Sequence, residues 1–229
     1  MGETNNVMTI AVIGGTGKEG KGLVYRWAKF GYRLLIGSRS QQKAELAANE
    51  LLDLLGGKAW IEGTSYQDAV LRSDIVALTV PYSAHREALE SIKDAMKGKI
   101  LIDVTVPLVP PRVTRVMMPP AGSAAQEAFE ILGEGSQVTS AFQNISSEYL
   151  LQDEQVECDV LVAGTSKEAR SETLKLVTAA GLTGWDAGPI ENSAVVEGLT
   201  SILIGINKQF GSKSAGIRVT GVKPAARNS

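Results

Sequence analysis

The chain has 229 residues, 44% hydrophobic and 21% charged, with a formal net charge of −2. That composition is ordinary for a globular protein with a sizeable core, and it lacks the basic excess that nucleic-acid or anionic-lipid binding draws on. Its single cysteine, Cys158, excludes an intrachain disulfide and fits a reducing, cytosolic compartment.

Met1–Ile10 lacks the apolar run and cleavage site of a secretory signal. The longest apolar stretch, Ala194–Ile206, is interrupted by Glu197, Thr200 and Ser201 and is too short and polar to span a bilayer. No membrane or nucleic-acid partner is therefore expected.

Short apolar runs alternate with helical patterns, as in a parallel sheet with crossover helices. Thr9–Ile13 reads as the first strand. A helix follows to about Phe30, with Leu23, Val24, Trp27 and Ala28 on one face and Gly31 in the C-terminal cap position. Arg33–Ile36 reads as the second strand, and Ser40 as the cap of a helix that Gly56 and Gly57 end.

A short strand is expected near Ala59–Glu62 and a buried one over Asp74–Val80, stopped by Pro81. The next helix carries His85, Ala88, Leu89, Ile92 and Met96 on one stripe and stops at Gly98. Packing or capping is the expected role of His85, and a cap or loop role that of Asp103.

Lys99–Val104 reads as the fifth strand. Pro107, Pro110, Pro111, Pro119 and Pro120 then exclude continuous regular structure, and their place at a strand's carboxyl end points to a cleft wall. Ser123–Leu132 reads as helix and Gln137–Phe142 as strand. In the tail, a strand over Asp159–Ala163 leads to a helix with a capping box at Thr165 and Glu168. Trp185 sits on a short strand, and a helix runs from about Ile190 to Phe210. Its Val195, Leu199, Ile202, Leu203 and Ile206 read as core or dimer interface. The last segment, rich in Gly, Ser and Lys, is expected to wrap back.

Gly15-Thr16-Gly17-Lys18-Glu19-Gly20 matches the dinucleotide-binding pattern in its proper context, between a strand and a helix. Gly15 allows the tight turn, Gly17 the close approach of a pyrophosphate, and Gly20 the packing of helix on strand. The helix N-terminus adds amide donors and partial positive charge. An NAD site usually ends its second strand with a carboxylate on the ribose 2′-hydroxyl. Here that place holds Ser38 and Arg39, with Lys43 one turn on. A hydroxyl and two cations suit a 2′-phosphate, so NADP(H) is expected.

From Thr9 to about Val219 the sequence resembles the NADPH-dependent reductases of coenzyme F420, a deazaflavin. The resemblance rests on Ile13-Gly14-Gly15-Thr16-Gly17, Gly37-Ser38-Arg39, Thr79-Val80-Pro81-Tyr82, Pro107-Leu108-Val109-Pro110, Asp186-Ala187-Gly188-Pro189 and Glu197-Gly198-Leu199-Thr200. It implies an α/β fold: a Rossmann-type doubly wound parallel sheet (residues 1–145) with a small C-terminal α/β domain (146–229) closing the cofactor cleft. It implies NADP phosphates at Thr16, Gly17, Lys18 and Glu19, with the 2′-phosphate at Ser38, Arg39 and Lys43. Val80, Tyr82 and Leu108 or Val109 would face the nicotinamide half. The deazaflavin would lie near Ser140–Ser147, including Gln143 and Ser147, and near Ala215 and Ile217. Gln143 stands where family members carry His, and Ala215 where they carry a bulkier apolar residue. A homodimer is the expected assembly.

The implied activity is hydride transfer between NADP(H) and coenzyme F420. Proximity and alignment of two planar rings are what such a reaction needs first, with the reacting carbons about 3–3.5 Å apart. No catalytic side chain and no metal are then expected. The rival readings are an NADPH-dependent reductase of a flavin, imine or carbonyl substrate, and a non-catalytic NADPH-sensing protein.

Overall fold

The structure is a computed structural model describing residues 7–153 and 156–223. Residues 1–6, part of the segment read against a secretory signal, and 224–229 lie outside the described residues. β1 (Thr9–Ile13), β2 (Arg33–Ser38), β3 (Trp60–Ser65), β4 (Ile75–Leu78), β5 (Ile100–Asp103), β6 (Gln137–Ser140), β7 (Asp159–Gly164) and β8 (Thr183–Gly188) form one sheet. The spatial order is β3-β2-β1-β4-β5-β6-β7-β8. All neighbours are parallel except β6 and β7, which pair antiparallel. The sheet is therefore continuous past residue 145.

Alternation along the strands divides the core between two faces. Ile10 and Val12 of β1 pack with α1 (Lys18–Phe30), α2 (Gln41–Leu54) and α7 (Lys167–Ala179). Ala11 and Ile13 pack with α3 (Tyr66–Leu71), α4 (His85–Ile92) and α5 (Ala124–Leu132). Helices on both faces of a mostly parallel sheet make the doubly wound arrangement. α6 (Ser147–Leu150) and α8 (Ser193–Phe210) complete the described helices. No helix among the described residues is long and apolar enough to cross a membrane.

Several boundaries differ from the sequence reading. The sequence reading did not include α3; its signal is Ser65, which accepts from the Asp68 amide at 3.2 Å. The expected Thr165–Glu168 capping box is replaced by a cap at Ser166, which accepts from the Ala169 amide at 3.0 Å. Thr165 instead accepts from the Val138 amide of β6, because the helix begins only at Lys167. The strand expected to reach Phe142 ends at Ser140, and Phe142 takes φ +73°. The tail does return: the Asp159 amide donates to Ile217 O at 2.8 Å, and Ser146 Oγ to Lys213 O at 2.9 Å.

Candidate functional site

A cleft of about 710 Å³ opens at the carboxyl ends of β1, β2, β4, β5 and β6. Connections leave β1 and β4 toward opposite faces, and the crevice at such a switch point is where open sheets bind ligands. Its floor is the loop after β1. Gly14, at φ +83°, packs so closely on the segment after β4 that a Cβ would meet Val80 Cγ1 at 2.9 Å. A Cβ on Gly20 would lie 2.6 Å from Gly15 Cα and 2.7 Å from Thr79 Oγ1, so α1 sits on the loop only without a side chain there. A Cβ on Gly17, the N-cap of α1, would make only ordinary contact, 3.5 Å from Gly14 O, and no side chain caps the helix. Its first-turn amides therefore have no competing side-chain acceptor, the condition for binding phosphate at a helix start.

At one end of the cleft, Ser38, Arg39 and Lys43 gather at the carboxyl end of β2. Ser38 Oγ accepts from the Ser40 amide at 3.2 Å, and Ser40 in turn caps α2. Arg39 and Lys43 are exposed. Tyr66, from the first turn of α3, lines the same end beside Arg39.

At the other end, the wall is built from Val80, Tyr82, Val106, Leu108 and the segment 142–147, faced by α8 and the returning tail at Ala215. Ala215 is anchored by its amide to Asn207 Oδ1 at 2.9 Å. Gln143 O accepts from Thr200 Oγ1 at 2.7 Å, tying this wall to α8.

Ionisable groups behind the wall are tightly paired. His85 is buried, with Nε2 2.7 Å from Asp103 Oδ2. Burial disfavours its cation, but Asp103 and then Glu127 outweigh that and hold His85 above its ordinary value. Tyr82 Oη donates to Glu127 at 2.9 Å, and burial with that carboxylate pushes the hydroxyl up to about 12. Glu197, fully buried on α8, accepts from the Ala124 and Ala125 amides at 2.7 and 3.0 Å and so caps α5. Burial, then the nearby Asp103, pushes its carboxyl up to about 8. Glu19 lines the cleft at the first turn of α1, where burial pushes it up to about 8.

Residues 9–107 match the family described as NADP oxidoreductase, coenzyme F420-dependent. Over 94% of its length the chain is 38% identical to the whole of the F420-dependent NADP reductase of Methanocaldococcus jannaschii. It is 40% identical, over 93% of its length and 95% of the relative's, to the enzyme of that name from Methanothermobacter thermautotrophicus. The chain belongs to the F420-dependent NADP reductase family. Among solved structures, a protein of Arthrobacter sp. FB24 shares the fold at TM-score 0.77 and 22% identity, covering 93% of this chain and 99% of that one. A pyrroline-5-carboxylate reductase of Coxiella burnetii shares it at TM-score 0.58 and 19% identity, over 90% and 72%.

The structure brings most of the residues singled out from the family resemblance into this one cleft: Thr16, Gly17, Lys18, Glu19, Ser38, Arg39, Lys43, Val80, Tyr82, Leu108, Gln143, Ser147 and Ala215 line it. Gly15 and Gly20 lie beneath the wall as packing positions, and Val109 points out, 41% exposed. The prolines at 107, 110 and 111 do not line the cleft; Val106 and Leu108 beside them do. His85 does not reach it, and instead of packing among apolar neighbours alone it pairs with Asp103. Tyr66 is a cleft residue that sequence reasoning passed over, although the Ser65 cap was a signal for it; Asn144 falls within the span Ser140–Ser147 expected beside the deazaflavin but was not singled out there.

Proposed function

We propose that this protein transfers hydride between NADP(H) and coenzyme F420. The observation that carries the reading is a cleft joining a cationic corner at β2 to a second wall at β6 and α8, in a chain akin to F420-dependent NADP reductases over nearly its whole length. The two coenzymes supply the redox chemistry, and the chain binds, orients and keeps water away.

The residues present fit that pair. The start of α1, capped by no side chain, offers its first-turn amides to a pyrophosphate, and Ser38, Arg39 and Lys43 offer a hydroxyl and two cations to a 2′-phosphate. Val80 and Leu108 give the nicotinamide half an apolar wall, while Gln143, Ser147 and Ala215 face the deazaflavin. No side chain is assigned a chemical step. Residues 146–229 act as the smaller unit closing the cleft over the Rossmann part.

We further propose that the protein works as a homodimer in the cytosol. Val195, Ile202 and Phe210 of α8 are 66%, 52% and 72% exposed at helical spacing, an apolar stripe that a second copy would cover by two-fold symmetry. Light scattering checks the mass, and Ile202→Glu is expected to give a monomer.

Mixing the purified chain with NADPH and F420 should bleach the F420 absorbance. Absence of bleaching, with FMN reduced in its place, would overturn the assignment.

A further inference from the structure

The wall at the second half of the cleft belongs to the connection that leaves β6 at Ser140, and α6, the helix within it, has four residues. A helix so short does not stand on its own, so its place is set by what it packs on. At the front, residues 143–146 are bonded to β5, β7, α8 and the tail: Gln143 Nε2 donates to Asp103 O, Asn144 Nδ2 to Asp159 O, Thr200 Oγ1 to Gln143 O and Ser146 Oγ to Lys213 O. Behind, residues 148–153 rest on α1.

Arg26, two turns into α1, donates through Nε to Leu150 O at 3.0 Å, and through Nη2 to Tyr149 O at 2.8 Å and to Gln152 O. Its Nη1 donates to Ala180 O, at the end of α7, at 3.4 Å. A planar guanidinium with its donors in a fixed fork thus ties two helix C-termini, whose outward carbonyls favour a cation, to a third helix. Leu150 is fully buried against α1, where a Cβ on Gly22 would overlap the Leu150 Cβ. Tyr25 Oη donates to Asp153 at 2.8 Å, and Lys29 pairs with the same carboxylate at 2.6 Å. Gly22, Tyr25, Arg26 and Lys29 follow the spacing i, i+3, i+4 and i+7, one face of the helix.

The start of that same helix offers the amides for phosphate. At 1.5 Å of rise per residue, Lys18 and Arg26 lie about 12 Å apart along α1. One rigid helix therefore carries the phosphate end of the cleft at its first turn and the support of the second wall at its third. Arg26 itself does not line the cleft, so it acts through α6. Resting on the NADP–F420 reading above, we propose that Arg26 is a positioning residue for hydride transfer: its guanidinium, forked onto the carbonyls at the end of α6, sets the second ring's wall at a fixed distance from the phosphate-binding start of α1. Misplacement of the reacting rings by about an ångström is enough to cost on the order of 100-fold in rate.

The test measures steady-state reduction of F420 by NADPH in the full chain, with NADPH binding titrated separately. Arg26→Ala is expected to raise KM for F420 about tenfold, to lower kcat about 10- to 100-fold, and to leave the Kd of NADPH within about twofold. Arg26→Lys, with a point charge in place of the fork, is expected to fall between wild type and Arg26→Ala. A change that only reduced the folded fraction would lower kcat and move neither KM, so KM for F420 is the readout that a merely structural role would not shift. Gly22→Ala reaches the same wall from another side: alanine favours the helix, but its methyl displaces Leu150 and with it α6. It is expected to raise KM for F420 with the Kd of NADPH unchanged, and it replaces Arg26→Ala if melting curves show that the latter does not fold. Unchanged F420 kinetics in folded Arg26→Ala, or in Gly22→Ala where Arg26→Ala does not fold, overturns the proposal, as does an equal weakening of NADPH. In each of those cases wild-type turnover of F420 leaves the hydride-transfer reading standing. A wild-type chain that binds NADPH and does not reduce F420 overturns that reading, and the proposal with it.

Discussion

Arg39→Ala removes a cation that stands at the carboxyl end of β2, exposed in the free chain and lining the cleft beside Ser38 and Lys43. Exposed substitutions of this kind leave stability nearly unchanged, so the loss should appear in binding alone. A charge-assisted hydrogen bond to phosphate contributes about 1.5–3 kcal/mol, and each ~1.4 kcal/mol is a factor of ten. NADPH affinity should therefore fall about 10- to 150-fold. Lys43 remains as a second cation, which places the expected value toward the lower end. NADH lacks the 2′-phosphate and should bind the variant and the wild type alike. Fluorescence titration with both coenzymes gives the four dissociation constants needed. A parallel loss for NADH and NADPH would mean that Arg39 supports the adenosine half in general, and the assignment of a 2′-phosphate pocket at β2 would fail.

The buried pairs make further outcomes measurable. His85→Ala leaves Asp103 without its partner in the interior, and breaking such a pair costs about 3–5 kcal/mol. For a chain of this size each kcal/mol moves Tm by about 2–4 °C, so calorimetry should show a fall on the order of 10 °C. Glu197, pushed up to about 8, contributes stability that is full below the ordinary glutamate range and is lost as pH rises through about 8. Tm should decline over that window, and Glu197→Gln should flatten the decline while losing one capping acceptor at α5. Glu19, also pushed up to about 8, is neutral in the cleft below that value and a carboxylate above it. NADPH affinity should therefore fall as pH rises through about 8 in wild type, and Glu19→Gln should abolish that pH dependence in titrations.

The half of the site that depends on backbone was legible in the sequence. Glycine spacing after Thr9–Ile13 announces a loop that tolerates no Cβ at Gly14, Gly15 or Gly20, and the order strand, loop, helix follows from local periodicity. The corner at Ser38 and Arg39 was readable for the same reason: the fold fixes where the second strand ends. What stayed hidden was whatever depends on contacts distant in sequence. Asp159 meets Asn144, Thr200 meets Gln143, and Glu197 meets Ala124 across separations that no local pattern records. The antiparallel pairing of β6 and β7 was equally invisible, because strand direction is set by the connection through 141–158 and not by side-chain alternation.

Asp103 shows what fixes the shape of the second half of the cleft. Its side chain accepts from the Thr105 amide at 2.9 Å and pairs with His85 on α4 at 2.7 Å. Its carbonyl takes Gln143 Nε2 and the Ala141 amide. One buried residue thus joins the ends of β5 and β6, the loop toward Leu108 and the helix behind Tyr82. Two planar rings transfer hydride efficiently only if the wall that positions them is set beforehand, because tenths of an ångström matter to the reacting geometry. A solvent-facing loop could not supply that stiffness. A paired, hydrogen-bonded carboxylate at the sheet's carboxyl edge can, and its dependence on His85 explains why the single histidine of the chain lies behind the cleft and not in it.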